Sequence, residues 1–160
     1  MPLPQHETQV RPEWIDSNGH MNLAYYVVVF DQATDVVFDA LGIGTAYRAR
    51  SGNSCFVAET HTVYEQEVTE GERVRVATRL LAVGPKRLHF VHEMHHAATG
   101  ERLALHELLC LHIDMAARRA APWPPDLRAA LEAAVAADSA LPPVRGVGRR
   151  VGQPKDTPQP

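Results

Sequence analysis

Cysteine is nearly absent from this chain: Cys55 and Cys110 are the only two, too few for a disulfide framework, and neither sits in a CxxC metal or redox spacing. Excess charge of either sign is lacking too. The formal charge is -3 with a pI near 6.3, so nothing draws the chain as a whole to nucleic acid or an anionic membrane, and any anionic ligand needs a local basic cluster. No apolar run approaches the ~20 residues that span a bilayer, and the start, "MPLPQHETQV", lacks the basic and apolar regions of a signal peptide. Internal repeats are absent as well. The expectation is a soluble cytoplasmic protein that needs no cofactor. What is present is apolar material: 45% of the 160 residues are hydrophobic, enough for one real core.

Apolar residues recur at spacings of three and four from Asn22 to Leu41, through Leu23, Tyr26, Val27, Phe30, Thr34, Val37 and Phe38, with Asp31, Asp35 and Asp39 on the other side. That pattern predicts one long helix with a buried and an acidic face, ended by Gly42 and Gly44. The period then changes to two. Ser54–Glu67, Glu72–Val83, Lys86–Ala98 and Glu101–Asp114 read as strands separated by Gly71, Gly84-Pro85 and Thr99-Gly100. Joined by short turns, they are expected to pair in order as an antiparallel meander. A first strand near Glu7–Pro12 makes five, and a helix is expected over Pro124–Ala137. The fold class is α+β, with one long helix against a curved five-stranded antiparallel sheet. A domain of residues 1–140 is expected, followed by a Pro- and Arg-containing tail, 141–160, mobile or draped on the surface. One helix leaves such a sheet with open edges, so the unit is expected to associate.

"HEMHH", His92 to His96, matches the zinc-protease pattern H-E-x-x-H, but Leu88, Phe90, His92 and Met94 alternate as in a strand. At ~3.3 Å per residue the two histidines stand about 13 Å apart with Glu93 facing away, so no metal site is assigned. Cys110 lies between His106 and His112 at even-numbered positions of one strand, where only neighbours two apart are within reach, and it reads as a buried small side chain rather than a thiol nucleophile.

"EWIDSNGHMNLAYY", Glu13 to Tyr26, is the stretch that carries chemistry. Asp16, Asn18, His20 and Asn22 occur at every second position just ahead of the long helix. Turn formation and an Asn22 cap account for some of these residues. A carboxylate, a carboxamide and an imidazole beside a helix N-terminus also suit acyl transfer: the N–H groups stabilise a developing oxyanion, and the carboxylate attacks a carbonyl or activates water.

"DSNGHMNLAYY" on a strand-to-helix junction resembles the D-x-N-x-H-x-N…Y pattern of hotdog-fold acyl-CoA thioesterases, and the element order resembles that fold, in which a sheet wraps one long helix. The resemblance runs from about Glu7 to Ala137 and is closest to the 4-hydroxybenzoyl-CoA thioesterase type, where the residue at the place of Asp16 is the catalytic carboxylate. The plant acyl-carrier-protein thioesterases carry Asp, Asn and His at the spacing of Asp16, Asn18 and His20, with a later Glu that corresponds to Glu67; the Cys beside that Glu is Val68 here, so a cysteine mechanism is not implied. "VRPEWIDSNGHMN" is also similar to the thioesterases of carnitine breakdown, which act on betainyl-CoA.

The resemblance implies thioester hydrolysis with Asp16 as nucleophile or general base, Asn18 and His20 orienting or assisting it, amides near Asn22 and Leu23 polarising the carbonyl, and Glu67 in support. Trp14, Tyr26 and Glu59 are candidates for a cationic acyl group, and Lys86 and Arg87 for the CoA phosphates, with Arg145, Arg149 and Arg150 as a second basic cluster. It also implies a homodimer or homotetramer acting on acyl-CoA. Two other functions stay open. Hotdog hydratases use D-x-N-P-x-H, from which this chain departs in length and in its Gly, and a non-catalytic acyl-CoA binder would not need Asp16.

Overall fold

The computed structural model describes residues 2–154. Strand β1 (His6–Gln9) and a single 3-10 turn (Pro12–Trp14) lead to helix α1 (Leu23–Ala40). Then follow α2 (Thr45–Ser51), β2 (Asn53–Tyr64), β3 (Arg73–Val83), β4 (Arg87–His96), β5 (Arg102–Asp114), the two-residue β6 (Arg119–Ala120) and α3 (Pro125–Ser139). The sheet is antiparallel in the order β1-β3-β4-β5-β2, with β6 paired to the end of β5. This corrects the expected meander: β2 pairs with β5, not β3, and loop 65–72 carries the chain from one side of the sheet to the other. The result is the expected α+β hotdog architecture, one long helix in the hollow of a curved sheet.

Helix α1 is about 27 Å long at ~1.5 Å per residue. It buries Tyr26, Val29, Phe30, Ala33, Thr34, Val37 and Phe38, while Asp31, Asp35 and Asp39 face solvent. Leu23 and Val27, placed by the apolar spacing on the buried face, are instead 63% and 39% exposed. They lie on a flank that the chain's own sheet does not cover.

The middle of the helix rests on a polar core. Thr34 donates its hydroxyl to the Phe30 carbonyl at 3.0 Å, so toward His92 Nε2, 2.9 Å away, it must accept. His92 is then the Nε2–H tautomer, and its Nδ1 accepts from Thr78 at 2.8 Å. Phe30 stacks on His92 and on His106 with ring centroids 5.9 and 4.7 Å away. Burial holds both imidazoles neutral, His92 with its pKa lowered to about 3 and His106 to about 4. Glu93 and His96 do not share that pocket: Glu93 pairs with Arg102 and His96 with Glu72.

Beyond this layer α2 and α3 close the far end. Tyr47 of α2 donates to His112 Nε2 at 2.8 Å, and His112 Nδ1–H donates to the Ala121 carbonyl at 2.8 Å. Cys110 is buried there beside Cys55, whose thiol is pushed up by their mutual hydrogen bond and by burial. β1 covers only Arg73–Val76 of β3, and α3 covers the rest of that edge, with Asp138 accepting from the Leu80 N–H at 2.8 Å.

After α3 the chain crosses the outer face of the sheet. Arg79 donates to the Pro142 carbonyl, Arg102 to the Arg145 carbonyl, and the Gly148 N–H to Glu107. The tail is thus draped as far as it is described; residues 155–160 of it lie outside the described residues.

Candidate active site

The stretch ahead of α1 folds as a tight hairpin. Ile15 and Met21 form an isolated bridge, the Asp16 N–H donates to the His20 carbonyl at 3.0 Å, and the Gly19 N–H donates to the Asp16 carbonyl at 3.1 Å. Gly19 closes the turn at φ 82°, a conformation that side chains with a Cβ rarely adopt. Inside it the Asp16 carboxylate accepts the Asn18 N–H through Oδ1 at 2.8 Å, which leaves Oδ2 with no protein partner among the described residues. The carboxylate is therefore aimed by the backbone and still has one oxygen to offer.

Three bonds fix the hairpin to its surroundings. The Met21 N–H donates to the Val68 carbonyl, the Asn22 N–H to the Trp14 carbonyl, and Tyr26 donates its hydroxyl to the Gln66 carbonyl at 3.0 Å. His20 stands with Nε2 3.8 Å from Glu67 Oε2, and its Nδ1 faces the Met21 carbonyl at 3.3 Å. The Tyr26 hydroxyl is pushed up to about 12, first by burial and then by the charge of Glu67. Asp16, Asn18, His20, Asn22, Leu23, Tyr26 and Glu67 are thus brought to one end of α1.

The amides at that end are not equivalent. Asn22 caps the helix by accepting the Ala24 N–H on its side chain at 2.9 Å, and its own N–H is taken by Trp14. In the first turn of α1 the Leu23 N–H keeps no acceptor among the described residues. Of the two amides expected to polarise a carbonyl, the geometry leaves this one available.

Trp14 is buried, stacked on Tyr25 at 5.6 Å with the Arg11 guanidinium 5.3 Å from its ring, and Tyr26 is also within the core. Neither ring is open to solvent. Glu59, Lys86 and Arg87 are not with the hairpin in the same chain. Glu59 and Arg87 line a cleft on the outer face, and Lys86 is exposed in the β3–β4 turn, toward the C-terminal end of α1.

One residue escaped the sequence reading. Tyr64, at the end of β2, donates its hydroxyl to the Leu23 carbonyl at 3.2 Å, packs edge-on against Tyr26 at 5.2 Å, and is 41% exposed. Its place three residues before Glu67 was the available signal.

Residues 10–131 match the model of the thioesterase-like superfamily. A betainyl-CoA thioesterase of Pseudomonas aeruginosa is 42% identical over 95% of this chain and 96% of its own length. An L-carnitine dehydrogenase/betainyl-CoA thioesterase of Agrobacterium fabrum is 39% identical over 98% of this chain, which spans 32% of that longer protein. Among solved structures, a putative thioesterase of Pseudomonas putida superposes with a TM-score of 0.81 at 32% identity, covering 96% of this chain and 99% of that one. A Staphylococcus aureus protein solved in complex with CoA shares the fold with a TM-score of 0.86 at 21% identity, covering 96% of both chains. No described helix is long and apolar enough to cross a membrane. With a hotdog fold and a family model over most of its length, the chain belongs to the thioesterase-like superfamily and is a hydrolase of acyl-CoA thioesters.

Proposed function

We propose that this hydrolase cleaves a short cationic acyl-CoA of the betainyl type at the α1 N-terminus, with Asp16 as the reacting carboxylate. The observation that carries the reading is the pairing of Asp16, oriented by the Asn18 N–H with one oxygen free, with the unpartnered Leu23 N–H at the helix start. The thioester carbonyl accepts from Leu23, where the helix terminus favours the oxyanion that forms. Asp16 then acts in one of two balanced ways. It takes a proton from water as that water adds to the carbonyl, or it adds to the carbonyl itself and water later cleaves the anhydride; in both, the C–S bond breaks and CoA leaves as the thiolate. Asn18 orients the carboxylate or the water, and His20 and Glu67 flank them.

The substrate class is supported by the betainyl-CoA thioesterase likeness at 42% identity. It is supported also by the exposed Tyr64 ring and the exposed Glu67 carboxylate near the first turn of α1, since a quaternary ammonium favours an aromatic face and a negative charge.

The working unit in this reading is a dimer. Strand β2 is an open edge of twelve residues, and Phe56, Val57, Leu23, Val27 and Val28 are exposed apolar side chains on it and on α1. Antiparallel pairing of two such edges brings the Arg87 end of one copy toward the α1 start of the other, which reconciles basic and catalytic residues that one chain holds apart. Sedimentation at micromolar protein is expected to show twice the chain mass or a multiple of it, and a monomer would overturn the arrangement. The cytoplasm suits two unbridged thiols; recovery of the activity in a membrane or extracellular fraction would contradict that placement.

The reading is tested by thiol release over a panel of betainyl, short, branched, aromatic and hydroxylated CoA thioesters. Betainyl-CoA is expected to give the highest kcat/KM. A higher value on neutral acyl chains would refute the substrate, and hydration of crotonyl-CoA without thiol release would refute the hydrolase chemistry.

A further inference from the structure

Segment 64–68, the end of β2 and the start of loop 65–72, alternates between two sets of partners. Its even positions turn to the candidate site: the Tyr64 hydroxyl donates to the Leu23 carbonyl at 3.2 Å, the Gln66 carbonyl accepts from Tyr26 at 3.0 Å, and the Val68 carbonyl accepts the Met21 N–H at 2.9 Å. One strip of chain thus backs both the hairpin that carries Asp16 and the helix start that offers the Leu23 N–H. Position 65 turns the other way. The Glu65 carboxylate accepts from Arg102 side-on, Oε2 from Nε at 2.9 Å and Oε1 from Nη2 at 2.7 Å.

Arg102 itself lies apart from the hairpin and the helix start. Its Nη1 donates to Glu93 at 3.0 Å and to the Arg145 carbonyl of the tail at 2.9 Å. The two carboxylates on this guanidinium are enclosed to similar degrees, with side chains 15% exposed for Glu65 and 21% for Glu93. They differ in what their backbone belongs to. Glu93 sits within β4, paired with β3 on one side and β5 on the other, so the sheet keeps its place without the side chain. Glu65 opens a loop, where its own N–H and that of Gln66 share the Leu103 carbonyl at 2.9 and 3.0 Å. Loop backbone so thinly bonded leans on its side-chain anchor, and a two-bond guanidinium fork fixes direction as well as distance.

We propose that Arg102 is a positioning residue for the hydrolysis: through Glu65 it sets segment 64–68, and with it the spacing of Asp16 and the Leu23 N–H. This role rests on the proposed reaction at those two groups. A shift of about 1 Å between reacting groups can cost about a hundredfold in rate, so a slight slackening of the segment is enough to lower turnover.

Steady-state kinetics of Glu65→Gln, Glu93→Gln and Arg102→Lys on the best thioester, each with its thermal unfolding midpoint, tests this. The two Gln variants each take one charge from the same guanidinium, so their midpoints are expected to drop alike. Their turnover is not. In Glu65→Gln kcat is expected to fall about fivefold or more with KM within about twofold, while Glu93→Gln stays within about twofold of wild type in both. Arg102→Lys keeps the charge but loses the fork, and its kcat is expected to fall as in Glu65→Gln. Equal loss of kcat in the two Gln variants, a loss confined to KM, or wild-type kcat in Glu65→Gln or Arg102→Lys overturns the role. Should Asp16→Asn be inactive while Glu65→Gln is unimpaired, positioning by Arg102 fails and the catalytic reading stands; wild-type turnover by Asp16→Asn removes the reading and the role with it.

Discussion

Tyr64 reaches from the open edge of β2 to the first turn of α1, where its hydroxyl donates to the carbonyl of Leu23 at 3.2 Å. Leu23 is also the residue whose N–H is left free at the helix start. The phenol thus fixes the peptide next to the amide that, in the proposed mechanism, receives the oxyanion. Tyr64→Phe keeps the ring and loses this bond, worth about 1 kcal/mol, so kcat is expected to fall about fivefold with a smaller change in KM. Steady-state kinetics on the best thioester checks this; a rise in KM at unchanged kcat would assign Tyr64 to binding instead.

Acid should weaken the fold through its core histidines. His92 and His106 titrate at about 3 and about 4 in the folded chain, against an ordinary value of 6.5. Unfolded, both take up protons as pH falls below 6.5, while the folded state does not until those lower values. Their contribution is therefore complete above 6.5 and is lost on the way down, at up to about 1.4 kcal/mol per pH unit for each group. Urea unfolding at pH 7 and pH 5 should show a clear drop in the midpoint. Equal midpoints would mean that the imidazoles are not held neutral.

Arg102 ties three segments together: Glu65 through Nε and Nη2 at 2.9 and 2.7 Å, Glu93 at 3.0 Å, and the tail through the Arg145 carbonyl at 2.9 Å. The ion pairs are largely buried, so removing the cation takes the guanidinium away from two carboxylates at once. Arg102→Ala is expected to cost about 3 kcal/mol and to open the tail to proteolysis. Thermal unfolding together with limited trypsin digestion checks both; unchanged stability with an intact tail would show that the guanidinium holds nothing.

The long helix, the period-two strands and the hairpin before the helix were legible because each is a local pattern of apolar spacing and turn residues. Strand partners were not. Loop 65–72 looks like any short connection, and only long-range packing decides that β2 lies beside β5. The seven-residue α2 has too few turns to show a stripe, although its Tyr47 completes the hydrogen bonding of buried His112. Leu23 and Val27 carry the helical spacing of core residues yet lie exposed, since spacing reports apolarity and not what covers it. At the site, Asp16 and Asn22 were legible as a carboxylate and a cap, but which amide remains free was not, because the Trp14 carbonyl that takes the Asn22 N–H leaves no mark in the sequence. The tail is docked by the Pro142 and Arg145 carbonyls and the Gly148 N–H, atoms that every residue type provides.

Asp16→Asn keeps an oxygen to accept the Asn18 N–H, and with it the hairpin, while removing the charge to which the reaction is assigned under the proposed function. Thiol release by this variant, with its oligomeric state confirmed by sedimentation, is the most direct measurement of the catalytic assignment. A loss of about two orders of magnitude or more in kcat with the assembly intact is expected. Wild-type turnover by Asp16→Asn would contradict it.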